Sequence, residues 1–161
     1  MLSDNLPQYT VRTNDYRILI ADRSEPMQRW LAMATVRSGA RASQTTYAST
    51  GPEMLYHLSH DGPFDLVVCQ ASLPQITGAQ VLAMVRTAGL ATPFVMLDYL
   101  PSSRLRALVA RAGDATLVDT PLDSRAVRTA ARGFLQRNDS SRGAVSATRT
   151  IAGRGGMAPS V

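Results

Sequence analysis

Five short apolar runs recur along the chain, and a stretch of helical periodicity follows each one. The runs lie at 16–21 (YRILIA), 41–47, 64–69 (FDLVVC), 93–97 (PFVML) and 115–118. The second is weaker and rich in threonine. The strongest are continuously apolar rather than alternating, the pattern of strands covered on both faces. The helical patterns lie at 26–38, 52–59, 78–88, 102–112 and 122–137. Their ends carry the usual punctuation: Ser24 as a cap with Pro26 in the first turn, and Gly39, Gly89 and Gly113 just beyond three C-termini. Strict βα alternation predicts an α/β fold, a doubly wound five-stranded parallel sheet with right-handed crossovers.

The alternation fills residues 16–137, which are expected to form one domain. Residues 1–15 lack periodicity. Residues 138–161 are rich in Ser, Gly and Ala, so both ends are expected to be flexible. The 24 residues after 137 are few and polar, and they are not expected to form a DNA-binding domain. With 161 residues the chain buries enough surface to need no staple, and its single cysteine, Cys69, excludes an internal disulfide. No apolar run approaches the roughly 18–20 residues of a membrane span, and residues 1–15 hold no apolar signal core. A cytoplasmic protein without membrane insertion is the expectation.

Charge is distributed unevenly. All 17 basic residues are arginine. Residues 1–100 carry 7 Arg against 8 acids, and residues 101–161 carry 10 Arg against 4 acids. An acidic partner for the C-terminal part is one reading of this asymmetry, and a solvated arginine-rich surface is the other.

In a parallel α/β sheet, functional groups gather at the C-terminal strand ends. Here those are Asp22 and Arg23 after the first strand, Gln70 after the third, Asp98 after the fourth, and Thr120-Pro121 after the fifth. Together with ILIADRSEPMQRWL, DLVVCQASLPQITG, PFVML and AGDATLVDTPL, these residues make the chain resemble a receiver domain of two-component signalling. That family has the flavodoxin-like (βα)5 fold of chemotaxis regulators. Leu73-Pro74 followed by Gly78 resembles the family's MP-x-x-x-G turn, and Thr120-Pro121 resembles its KP dipeptide.

The resemblance implies a site that has lost its chemistry. The family's second metal-holding acid falls on Arg23, its phosphoacceptor aspartate on Gln70, its Thr/Ser switch on Asp98, its lysine on Thr120 and its aromatic switch on Leu117. A neutral carboxamide cannot attack phosphorus as a carboxylate does, and Mg²⁺ favours anionic oxygens. No neighbour of Gln70 supplies an acid, since Cys69 and Ala71 flank it. The expectation is a degenerate receiver with no catalytic residue, metal or cofactor. Arg23 is expected to bridge Asp22 and Asp98 in place of the metal, the alternative being an outward-pointing side chain.

Arg125, Arg128 and Arg132 recur at steps of three and four, so they share one side of the last helix. With Arg104 and Arg111 of the fourth helix they are expected to form a basic partner-binding face, beside ordinary solvated helix charge as the plain alternative. In receivers, the surface of the fourth helix, fifth strand and fifth helix commonly carries dimer and output contacts. The first functional reading is a phosphorylation-independent interaction module of bacterial signalling. Its partner would be a kinase, another response regulator or a motility component, and that surface could also pair two copies. The alternative is a sensor of an anionic nucleotide resembling cyclic di-GMP, using the last helix with Arg142, Arg149 and Arg154. RNA contact by that tail is a weaker variant. His57 and His60 are expected at the surface, Cys69 as a small buried apolar residue, and Trp30 in packing. Asp119 is expected to cap the turn before Pro121.

Overall fold

The structure, a computed structural model, describes residues 16–36, 45–119 and 123–152, with side chains through residue 141. The elements alternate throughout: β1 (Ile18–Ala21), α1 (Glu25–Val36), β2 (Thr45–Ala48), α2 (Gly51–His60), β3 (Leu66–Gln70), α3 (Gly78–Thr87), β4 (Phe94–Leu97), α4 (Ser103–Arg111), β5 (Ala115–Val118) and α5 (Ser124–Ala152). The five strands form one sheet in the order β2-β1-β3-β4-β5, and all pairs are parallel. This is the doubly wound architecture expected.

Alternate residues of each strand feed two separate cores. Ile18, Ile20, Leu66, Val68, Val95 and Leu97 meet α1 and α5 through Leu31, Val127, Ala131, Phe134 and Leu135. Leu19, Val67, Cys69, Phe94 and Met96 meet α2, α3 and α4 through Met54, Leu58, Val81, Leu82 and Val109. Each fully buried aliphatic side chain of this kind contributes about 1.5–3 kcal/mol. The central strands are buried on both sides, which is why their sequences do not alternate. Helices α1 and α5 therefore occupy one layer, and α2, α3 and α4 the other. Trp30 is half-buried against the first core, as expected.

Helix starts follow the side-chain capping rule. Thr50, Thr77 and Ser102 accept the amides of Glu53, Gln80 and Leu105 at 3.2, 3.1 and 3.1 Å. The Thr77 cap is reciprocated by Gln80, which accepts the Thr77 amide at 2.9 Å. Gly78 sits where the chain recrosses the end of β3: a Cβ there would come within 2.5 Å of the Gln70 carbonyl oxygen.

The expected flexible stretch from residue 138 is corrected: α5 continues through Ala152. The stretch 138–152 holds no proline and a single glycine, Gly143, and its alanines and arginines are strong helix formers. The extension is also anchored where it leaves the domain. Asn138 donates from Nδ2 to the Asp65 carbonyl at 3.2 Å, and the Tyr16 hydroxyl donates to Asp139. The expected segment 1–15, Gly39, most of the second apolar run, Thr120, Pro121 and residues beyond 152 lie outside the described residues.

Candidate functional site

The C-terminal ends of β1, β3 and β4 enclose a cleft of about 160 Å³. Asp22, Arg23, Ser24, Gln70, Asp98 and Tyr99 line it, over a floor of Met27, Leu31 and Leu97. The strand register explains the convergence. Ala21 pairs with Cys69, and Gln70 pairs with Leu97, so Asp22 and Gln70 emerge at one level and Asp98 one residue beyond it. Thr120 and Pro121 belong to the same predicted set but lie outside the described residues.

Asp22 is only 4% exposed. Its Oδ1 accepts the Ser24 amide at 2.8 Å, and its own amide donates to the Ala48 carbonyl at 3.0 Å. Burial pushes the Asp22 carboxyl above its ordinary value, outweighing the Ser24 hydrogen bond and the nearby Arg23 charge, which both pull it down. Asp98 is turned back on its own loop, with Oδ1 accepting the Leu100 amide at 3.0 Å. Gln70 is half-buried at the last position of β3.

The expected Arg23 bridge is not formed. Arg23 is exposed, and among the described residues it makes no ion pair with Asp22 or Asp98. It follows a carboxylate that Ser24 already holds inward, so its long side chain stays in solvent. It acts on Asp22 only through space.

One residue that orders this region was missed from the sequence. Gln28 is 7% exposed, and its Nε2 donates to the carbonyls of Asp22 and Ala48 at 2.7 and 3.1 Å. The Ser49 hydroxyl lies 3.2 Å from the same nitrogen. The carboxamide thus ties the ends of β1 and β2 to α1. Its position on the inner phase of the first helix, beside Leu31, was the available signal.

A divalent metal, which a receiver fold implies, does not fit these residues. Among the described residues only two carboxylates face the cleft, each already accepts a backbone amide, and the third side chain is a neutral carboxamide. No cluster of three metal-ligating side chains exists among the described residues. Cys69 is fully buried and its thiol is pushed up to about 12 by that burial, which suits the inert apolar role expected of it. His60 is exposed, whereas His57 is half-buried and held 2.5 Å from Asp61.

The expected single basic face is divided in two. Arg104 and Arg111 line a groove between α3 and α4, together with Arg86. Arg132 lies two turns before Asp139, whose carboxylate takes the Tyr16 hydroxyl just ahead of β1. Arg125, Arg128 and Arg132 therefore follow the flank of α5 on the β1 side, where α5 packs on α1. The arginines that do border β5 are others, and both are paired. Arg106 meets Asp119 at 2.8 Å and Arg137 meets Asp114 at 3.6 Å. Asp119 is thus an ion-pair partner, while the turn before Pro121 that it was expected to cap lies outside the described residues. Arg142 and Arg149 fall within the helical backbone of α5, while their side chains and Arg154 lie outside the described residues.

The fold defines a class. Solved receiver domains superpose on this chain along almost their whole length. The Francisella response regulator 1452 receiver domain matches with a TM-score of 0.67 and 19% identity, over 77% of this chain and 99% of that one. The signal receiver domain of an HD domain-containing protein from Pseudomonas fluorescens gives 0.67 and 24%, over 78% and 98%. A CheY-like receiver domain protein from Methanospirillum hungatei gives 0.68 and 19%, over 79% and 98%. The chain has the flavodoxin-like fold of response-regulator receivers. No family model matches the sequence, and no curated protein matches it. No helix among the described residues is long and apolar enough to cross a membrane.

Proposed function

We propose that this chain is a pseudo-receiver, an interaction module of bacterial signal transduction that works without phosphorylation and without catalysis. The observation that carries this reading is Gln70. It occupies the last position of β3 and faces the cleft between Asp22 and Asp98, where an active receiver would present its phosphoacceptor carboxylate. A carboxamide oxygen carries no charge to attack phosphorus, and a free Arg23 beside Asp22 opposes a metal at the same place. With the donor-responsive chemistry gone, the conformation is set by internal contacts such as the Gln28 carboxamide. A constant surface then remains for a signalling partner.

The test is capture from native extract with the full chain as bait. The affinity of the recovered partner is then measured with and without acetyl phosphate and Mg²⁺. The proposal expects one dissociation constant under both conditions. A donor-dependent change of about tenfold, or about 1.4 kcal/mol of coupling, would overturn it.

A further inference from the structure

The groove between α3 and α4 has a volume of about 350 Å³ and is lined by Arg86, Arg104 and Arg111 but by no acidic residue. Its three arginines are not equivalent. Arg86 is spent on the fold: it donates to the carbonyls of Ala112, Leu90 and Asp114 at 2.5, 2.7 and 3.1 Å. Its guanidinium also lies over the Phe94 ring, 5.5 Å from the centroid. Arg104 and Arg111 are exposed and make no hydrogen bond or ion pair among the described residues. The neighbouring Asp114 carboxylate is engaged by Arg137.

We infer that this groove docks an acidic helical segment of a partner protein. The inference rests on the interaction-module reading and names its surface. Arg104 and Arg111 stand seven residues apart on one side of α4, about 10 Å along the axis. That spacing suits two separate anionic groups better than one. It matches two carboxylates placed at i and i+7 on a facing helix. The floor between them is Ala83, Ala107 and Leu108. Small side chains allow a second helix to approach to the usual 8–10 Å, and they present no aromatic face for a nucleotide base. Arginine favours the bidentate carboxylate contact such a helix would offer.

A phage-displayed library of helical peptides, selected against the full chain, tests this. Selected peptides are then measured by fluorescence anisotropy on three proteins: wild type, Arg104→Ala/Arg111→Ala, and Arg125→Ala/Arg128→Ala/Arg132→Ala. Peptides with Asp or Glu seven apart are expected, with binding weakened roughly tenfold or more by the groove pair and little by the α5 triple. Selection of peptides without acids, or equal binding to the groove variant, would overturn the inference. Loss of binding only in the α5 triple variant would also overturn it, while leaving the interaction-module reading intact. Conversely, groove binding that acetyl phosphate changes tenfold would sink phosphorylation independence and spare the groove. The groove arginines have no partners to lose, so these variants retain the fold.

Discussion

Replacing Gln28 by methionine isolates the contacts that hold the cleft. Methionine has nearly the same length and fills the same space, so the cavity term stays small. The Nε2 group has two hydrogens facing three acceptors: the Asp22 carbonyl, the Ala48 carbonyl and the Ser49 hydroxyl. Two full hydrogen bonds are therefore lost, at about 1 kcal/mol each. The Ala48 carbonyl keeps the Asp22 amide at 3.0 Å, so the loss falls mainly on the Asp22 carbonyl. The expected destabilisation is about 2 kcal/mol, or a urea midpoint lowered by about 1 M for a slope near 2 kcal/mol/M. Gln28→Glu exchanges donors for a charged acceptor beside two carbonyls and should cost more. A loss below about 0.5 kcal/mol for Gln28→Met would refute the assignment of Gln28 as the tie between β1, β2 and α1.

Other outcomes follow from the same geometry. Burial raises the Asp22 carboxyl above its ordinary value, so the native state holds that proton more tightly than the unfolded chain. Stability from this group is present below that value and is lost as pH rises through the raised one. Asp22→Asn, which keeps an oxygen for the Ser24 amide, should therefore be more stable than wild type near pH 7, and the gain should vanish below about pH 4. A stability difference independent of pH would contradict this. Gly78→Ala forces a Cβ to 2.5 Å from the Gln70 carbonyl oxygen and should cost about 1–3 kcal/mol, read as a lower Tm. Arg86→Ala removes three bonds to backbone carbonyls and should cost about 2 kcal/mol, whereas Arg104→Ala and Arg111→Ala should each stay within about 0.5. Equal losses at all three would erase the distinction between the structural arginine and the docking pair.

The sheet was legible because its strands are continuous apolar runs bounded by helix caps and glycines, and tertiary burial agreed with that local pattern. The convergence of Asp22, Gln70 and Asp98 was legible for the same reason: in a parallel sheet, strand ends share one level. What failed depended on helical phase and partners, which sequence spacing alone leaves open. Arg104 and Arg111 were grouped with the α5 arginines, although seven-residue spacing turns them toward α3 and leaves Arg106 to meet Asp119. Arg23 was expected to neutralise two acids, but backbone amides of Ser24 and Leu100 had already engaged them. Serine and glycine after residue 137 read as loop composition, whereas the alanines and arginines among them sustain a helix anchored by Asn138. Gln28 escaped notice because a polar residue within a helix ordinarily faces water, although its phase beside Leu31 turned it inward.

The central claim is that the cleft accepts no phosphoryl group. Its most direct test is intact-mass spectrometry of the full chain after incubation with acetyl phosphate and Mg²⁺. The account predicts one unmodified species. A phosphoryl adduct mapping to Asp22, Asp98 or another residue of the cleft would contradict it.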